Sequence, residues 1–375
     1  MDYINNKIDL LSLSKSELRE IVKNKFNLEQ FRADQIYSRM YSDKINKTNK
    51  NFDNFSDMSN ISEKHKKIFE DAFYINKLTQ SKKLVSSIKN DGTIKYLFEL
   101  YDGNKIESVF MRYNHGNTVC LSTQVGCRMG CAFCASAIGG LNRNLLPSEM
   151  LLQIMTIEKD VGESISNIVL MGIGEPLDNF DNVIKFLELV NSKDGLNIGY
   201  RHISLSTCGL ADKINQLKEI NIPITLSVSL HAPNDEIRKK IMPVSNKWSV
   251  SELLKFCKDY ADYTKRRISF EYILIDKLND SADNAHELAS KVKNILCHVN
   301  LIPINPTTKE IRVSEKNFRP SNPKNAGEFQ RILENHGVNA TFRRKCGADI
   351  NASCGQLRKS SRDEESVESE TLNND

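Results

Sequence analysis

Three cysteines, Cys127, Cys131 and Cys134, stand close together in the stretch "GCRMGCAFCASAIGG" (126–140). A thiolate is a soft ligand, suited to zinc, copper(I) or iron–sulfur clusters. A structural zinc site wants four protein ligands, commonly as two C-x2-C pairs. Here only Cys131 and Cys134 have that spacing, and Cys120, upstream in a β-rich run, offers no obvious pairing. Three thiolates suit instead a 4Fe–4S cluster with one iron lacking a protein ligand and open to a substrate or cofactor. Gly126, Gly130, Gly139 and Gly140 let the loop wrap closely around a bulky cluster. The competing reading, buried inert thiols, accounts for neither the spacing nor the glycines.

Such a loop needs a scaffold. It directly follows "TVCLSTQVG", read as one strand. Upstream, "KYLFELYDG" and "KIESVFMRY" read as strands joined at Asp102-Gly103, a hairpin signal. Downstream, strands at "NIVLMG", "HISLST", "ITLSVSLHA", "RISFEYILI", "HVNLIPIN" and "VNATFR" alternate with amphipathic helices. The helices run from "PSEMLLQIMTIEKDV" to "KNAGEFQRILENHG". That alternation predicts an α/β fold with a parallel sheet and crossover helices. The units are too few for a closed eight-unit barrel and suit an open, partial one. Functional groups then belong at the C-terminal ends of the strands.

Several strand ends carry suitable groups. "MGIGEP" (171–176) follows "NIVLM", and its Gly172 and Gly174 permit close backbone approach while Glu175 can accept from an ammonium group. Ser206 in "SLST", Ser229 and His231 in "SVSLHAPND", and Asn305 in "PINP" end three further strands. Taken singly, each suits a cap or a turn. At matching ends of one sheet they would converge on one crevice.

Composition is compatible with an enzyme of this kind. Of 375 residues, 39% are apolar and 27% charged, as in ordinary globular proteins. No run approaches the roughly 18 apolar residues of a membrane span. The start, "MDYINNKIDLLSLSKSELRE", lacks the basic and apolar blocks of a signal peptide. A cytoplasmic location is therefore expected, where thiols stay reduced. Nine cysteines there point to metal or catalytic thiols rather than a disulfide framework. No internal repeat is visible. The net charge is +4, but the last seventeen residues hold six acids and two bases, so the rest carries +8. That excess suits a nucleic-acid partner without requiring one. Three helical segments, "LSKSELREIVKNKF", "FRADQIYSRMY" and "NISEKHKKIFEDAF", open the chain, the third with Ser62 as N-cap. They form either a small domain or a packing extension of the main core. Lys64, His65, Lys66 and Lys67 suit either RNA contact or a solvated face.

C-x3-C-x2-C, with Phe133 between the last two cysteines, resembles the signature of the radical S-adenosylmethionine (SAM) superfamily. The resemblance implies that the amino and carboxylate groups of SAM chelate the open iron, and that an electron from the cluster cleaves the sulfonium to a 5′-deoxyadenosyl radical. "MGIGEP" would then hold the SAM amino group. "STQVGCRMGCAFCASAIGGLNRNL", "MGIGEPLDN", "SLHAPNDEIRKKIMP" and "DINASCGQLR" together resemble the RlmN/Cfr family of RNA methyltransferases, from about residue 10 to residue 358. On that match Gly174, Glu175, Ser206, Ser229, Leu230, His231 and Asn305 correspond to SAM-contacting positions. The fold implied is a partial (β/α)6 radical-SAM barrel with a small N-terminal helical domain and a β-hairpin extension. Its parts are an accessory domain over 1–80, a hairpin linker over 81–117, the barrel over 118–345 and a catalytic-cysteine segment over 346–358; the acidic tail over 359–375, with almost no apolar residues, is expected to be disordered.

The family chemistry has a physical rationale: carbon 2 of adenine is electron-poor, so ordinary SN2 methylation fails and a radical is required. The resemblance implies that Cys354, in "NASCGQL", carries a methyl group taken from one SAM. It makes Cys120 the resolving cysteine, which forms a disulfide with Cys354 at release, and Glu107, in "KIESVF", the proton acceptor. Without the resemblance, Cys354 would read as a small buried residue and Glu107 as a solvated hairpin charge. Cys346, in "RRKCGADI", departs from the family and could form a competing disulfide. Cys208, Cys257 and Cys297 read as structural. The implied partners are 23S ribosomal RNA at adenosine 2503, transfer RNA at adenosine 37, and a reducing protein such as flavodoxin, with the enzyme a monomer. Two rivals stand: a Cfr-type enzyme acting on carbon 8, which has alanine where Pro176 follows Gly174-Glu175, and a non-catalytic zinc protein that binds RNA.

Overall fold

The computed structural model describes residues 3–4, 6–41, 52–89, 91–304, 318–344, 346–352 and 356. Asn305, Cys354 and the expected tail over 359–375 lie outside them.

The chain opens with β1 (Tyr3–Ile4), β2 (Lys7–Asp9), α1 (Lys15–Asn24), α2 (Phe31–Met40), α3 (Glu63–Ala72) and β3 (Phe73–Tyr74). The three strands form a small sheet of their own. Helix α1 begins where Ser14 and Glu17 close a capping box: the Glu17 N–H donates to the Ser14 hydroxyl and the Ser14 N–H to the Glu17 carboxylate. Ser62 does stand at the N-cap of α3, but its side chain makes no capping hydrogen bond. The basic cluster divides. Lys64 and Lys67 are exposed, whereas Lys66 is buried and donates to the Ser56 carbonyl at 3.3 Å and to Glu63 at 2.7 Å. One continuous hydrophobic core runs from Leu10, Leu18 and Phe69 in this region into the main sheet.

An antiparallel meander follows: β4 (Thr79–Val85), β5 (Ile94–Glu99), β6 (Lys105–Tyr113) and β7 (Gly116–Cys120). The β5–β6 hairpin turns at Asp102-Gly103, where Gly103 takes φ 76°. Strand β4 was not legible in the sequence. Its run "TQSKKLV" is almost wholly exposed, and it is a strand only because β5 pairs with it. Its lysines suit the outer edge of the sheet.

The expected single strand "TVCLSTQVG" is two. Strand β7 ends at Cys120, and β8 (Gln124–Gly126) pairs with β9 (Leu141–Asn144) in a separate two-stranded sheet. The break arises because the Leu121 N–H donates to Val169 O, and the Thr123 and Gln124 N–H groups both donate to Ile173 O, bending the chain. The three-cysteine loop is thus the long connection between β8 and β9.

From here strand and helix alternate: α4 (Pro147–Val161), β10 (Asn167–Leu170), α5 (Phe180–Asn191), β11 (Ile203–Thr207), α6 (Ala211–Ile220), β12 (Thr225–Ser229), α7 (Asp235–Ile241), α8 (Val250–Thr264), β13 (Ile268–Leu274), α9 (Ala282–Val292), β14 (Cys297–Pro303), α10 (Pro323–Asn335) and β15 (Ala340–Phe342). The sheet order is β15-β14-β13-β12-β11-β10-β7-β6-β5-β4, parallel from β7 to β15. Six strand–helix units precede a final strand, so the expected partial α/β barrel is present, extended by the meander beyond β7. Short helix α7 was missed. It is a single seven-residue element between β12 and α8, and a run that short carries no helical period of its own.

Candidate active site

The cysteine loop and the C-terminal ends of β10 to β14 enclose one cavity. Cys127, Cys131 and Cys134 line it, together with Glu175, Ser206, Ser229 and His231. The loop is fastened by the Ala132 N–H, which donates to Ile241 O at the end of α7 (2.9 Å). Met129 and Phe133 pack against an apolar group built from Ile241, Met242, Ile273 and Ile304.

Each strand end is positioned by identifiable contacts. Glu175 is wholly buried, and its carboxylate accepts from the Cys208 N–H at 2.7 Å and the Leu177 N–H at 3.0 Å. Its own N–H donates to the Gln124 amide oxygen (2.8 Å). Gly172 and Gly174 do permit a close approach, but to the protein's own chain. A Cβ on Gly172 would lie 2.5 Å from Leu121 O, and one on Gly174, at φ +108°, would lie 2.6 Å from Gln124 Cβ. The two glycines therefore dock the β10 end onto the segment leading to the cysteine loop. His231 adopts the left-handed region at φ 57°. Its Nδ1 accepts from the Ile273 N–H (3.0 Å), which leaves the ring proton on Nε2. Phe133 meets its ring edge-on at 4.9 Å. Burial lowers the His231 pKa to about 3, so the imidazole stays neutral.

Leu230 is fully buried but is not part of the cavity wall; its side chain belongs to the core and its carbonyl accepts from Arg238 Nε (2.9 Å). Cys208, read as structural, lines the cavity beside Glu175. Cys257 is on the buried face of α8, and Cys297 opens β14 with its thiol on Val292 O. Sequence reasoning also missed Arg238. Its guanidinium is fully buried and donates to Cys208 O (2.7 Å), Ser229 O (2.9 Å), Leu230 O and the Ser245 hydroxyl (3.0 Å), fixing the ends of β11 and β12. In "DEIRKKI" it is one of five charged residues among seven. Only its place between the buried Ile237 and Ile241 hints at its burial.

Cys120, Glu107 and Cys346 are not among the residues that line this cavity. Cys120 ends β7, paired with Val169 of β10 and Val109 of β6, and is buried. Glu107 is not a solvated charge. It is buried on β6 and pairs with Lys95 Nζ at 3.0 Å, and Lys95 in turn reaches Asn351 O. The segment 346–352 docks on the meander: Asp349 accepts from the Ser86 hydroxyl and the Ser87 N–H, and the Gly347 N–H donates to Asp91. Cys346 is buried against the Tyr113 hydroxyl at 3.5 Å. Gln356, two positions beyond Cys354, lines the cavity.

The donor set fits an iron–sulfur cluster and SAM. Burial pushes the Cys127 thiol up to about 12 and raises Cys131 as well, with the other two thiols of the loop adding to the latter shift. Burial also raises the Glu175 carboxyl. Three thiols and a carboxyl held in one low-dielectric space ionise together only beside a cationic centre, which cluster iron and an ammonium group would provide.

Known proteins agree with this geometry. The pattern of the Radical SAM superfamily matches residues 121–289. A probable dual-specificity RNA methyltransferase RlmN from Clostridium novyi (strain NT) is 49% identical over 351 residues, covering 94% of this chain and 98% of that one. The corresponding protein of Clostridium tetani (strain Massachusetts / E88) is 48% identical over 355 residues, covering 94% and 97%. The crystal structure of a radical SAM methyltransferase from Sphaerobacter thermophilus superposes with a TM-score of 0.83 at 36% identity, covering 93% of this chain and 99% of that one. Radical SAM methyltransferases carry a 4Fe–4S cluster and S-adenosylmethionine as cofactors. With near-complete coverage at this identity, the chain belongs to the RlmN family of radical S-adenosylmethionine methyltransferases.

Proposed function

We propose that this enzyme methylates carbon 2 of adenosine in RNA, at adenosine 2503 of 23S ribosomal RNA and adenosine 37 of transfer RNAs. The observation that carries the reading is the convergence of Cys127, Cys131 and Cys134 on one cavity with Ser206, Ser229, Gln356 and the buried Glu175 and His231. In this reading the three cysteines hold the cluster, Glu175 accepts from the amino group of SAM, and Gly174, Ser206, Ser229, Leu230, His231 and Asn305 shape the rest of the SAM site, Leu230 through its backbone. Bound together, cluster and SAM supply a carbon-centred radical.

The protein's own residues do the rest. Cys354 carries the methyl group and, after loss of a hydrogen from it, bonds through that carbon to the adenine. Glu107 takes the proton, and the Glu107–Lys95–Asn351 contacts hold it beside the C-terminal segment. The adduct gives up its one surplus electron to the electron carrier. Cys120 then attacks the Cys354 sulfur, and the carbon–sulfur bond breaks with its electron pair left on the carbon. That carbon takes up a proton to become the methyl group of the released RNA, and the disulfide left behind must be reduced by an external thiol. A flavodoxin-like protein supplies electrons to a monomeric, cytoplasmic enzyme. Among the described residues no helix is long and apolar enough to cross a membrane. Carbon 2 is favoured over carbon 8 by Pro176 after Gly174-Glu175 and by the RlmN relatives.

The test is mass spectrometry of ribosomal and transfer RNA from a strain lacking the gene, with loss of 2-methyladenosine expected. Retention of that nucleoside, or a loss at carbon 8 instead, overturns the assignment. Metal analysis separates the zinc reading: iron with sulfide and a broad brown absorption is expected, and zinc alone sinks the proposal.

A further inference from the structure

The inner face of a barrel of parallel strands is ordinarily filled by packed apolar side chains. The wall beside the cysteine loop partly follows that rule, with Met242, Ile273, Ile302 and Ile304. Toward the N-terminal ends of the strands it does not. There the inward positions carry Thr118 on β7, Ser204 on β11, Ser227 on β12, Ser269 on β13 and Asn300 on β14. Hydroxyl and amide groups on five strands line a polar chamber instead of a core. The chamber meets the cysteine-lined cavity at Met171, Glu271 and Arg343, which line both.

Glu271 is the distinctive group at that junction. It is 3% exposed, and the function proposed above gives it no role. The Ser269 hydroxyl donates to its Oε1 at 2.9 Å, the Asn300 amide donates to Oε2 at 2.8 Å, and Arg343 stands 3.5 Å from Oε2. A carboxylate offers about four acceptor sites, so Oε1, with one donor among the described residues, retains capacity for another. Arg201 and Arg267 stand exposed at the outer mouth, and neither forms an ion pair among the described residues.

We infer that the target nucleotide enters this chamber from the N-terminal end of the barrel, with Glu271 accepting a hydrogen bond from the exocyclic amine of the adenine and Arg201 and Arg267 meeting phosphates at the mouth. The inference rests on the RNA-methylating function proposed above. A buried acceptor recognises an amine and penalises a base without that donor, because the carboxylate is then left underpaired. The arginines position the strand without reading sequence.

The test begins on the substrate side. An RNA fragment that the wild-type enzyme methylates is made with adenosine, purine riboside or inosine at the target position. Its Kd is measured by fluorescence anisotropy and its kcat/KM by methyl incorporation. The wild-type protein is expected to lose about 10- to 100-fold in affinity when the amine is absent. Glu271→Met, similar in size and without an acceptor, should bind adenosine RNA as weakly as purine-riboside RNA, whereas a merely structural defect would lower both and keep their ratio. Arg201→Ala combined with Arg267→Ala should raise KM severalfold at unchanged kcat and flatten the salt dependence. Equal wild-type affinity for adenosine and purine-riboside RNA overturns the inference even if Glu271→Met does not fold, and so does a variant that keeps the discrimination. Methylation of RNA without discrimination overturns this inference alone. Wild-type enzyme with a full cluster that methylates no RNA overturns the RNA function and this inference with it.

Discussion

Along β13 the inward positions run Ser269, Glu271, Ile273; along β14 they run His298, Asn300, Ile302. Each strand starts polar and ends apolar on the same face, so one sheet walls two unlike spaces. The space at the C-terminal ends holds thiols, a neutral imidazole and a carboxyl raised by burial, among isoleucine, methionine and phenylalanine. The space at the N-terminal ends holds hydroxyls and amides, with arginines at its mouth. On the readings proposed above, radical chemistry belongs to the drier end, where few polar groups compete for a bound cofactor, and recognition of a polar heterocycle to the wetter one. Cys120 lines neither space. On the two-residue period of β7 it shares the face of Thr118, which lines the polar chamber, yet it stands at the strand end next to the cysteine loop.

The largest effects should fall at the drier end. Cys127→Ala, Cys131→Ala and Cys134→Ala should each abolish cluster binding, because three ligands leave no spare. Iron content and visible absorbance report it, and wild-type iron in any one of the three would break the division. At the boundary, Cys120→Ala should trap a covalent protein–RNA adduct and Cys354→Ala should form none. Denaturing gels with and without nuclease decide: a nuclease-sensitive slow band in the Cys354 variant, or in neither, would reverse or remove the assigned roles.

A smaller effect is structural. Gly174→Ala places a Cβ 2.6 Å from Gln124 Cβ at φ +108° and should cost about 2–4 kcal/mol, from backbone strain and overpacking, together with weaker SAM binding. Ser227→Ala in the polar chamber should cost about 1 kcal/mol or less. Urea unfolding and SAM titration compare the two, and equal costs would blur the contrast. The last effect is graded in pH. Unfolded histidine takes up a proton below about pH 6.5, while folded His231 resists until about pH 3. Between those values the unfolded state binds more protons, so stability falls as pH falls, by up to about 1.4 kcal/mol per unit. His231→Asn, whose residue tolerates a left-handed backbone, should flatten that slope. An unchanged slope in the variant would place the acid sensitivity elsewhere.

Much of this was legible in the chain because it is short-range. The cysteine spacing announces a three-ligand site. The alternation of strand and helix announces a parallel sheet, and "MGIGEP" announces a tight strand end. The expectations that failed depended on what lies across the fold. "TVCLSTQVG" breaks after Cys120 because carbonyls of the β10 end take its N–H groups. Strand β4 exists only through β5.

The sequence by itself therefore determined the alternation of strand and helix, the close spacing of three cysteines and the polar residues at several strand ends, since caps, periods of two and residue spacing act over a few positions. Only the tertiary structure decided that Arg238 is a buried clamp, that Glu107 is paired instead of solvated, and that Leu230 turns into the core. It also set Glu271 between the two spaces. These outcomes arise from crossover packing and strand register, which bring together residues far apart in the chain, and neither is written in the local pattern of any one segment.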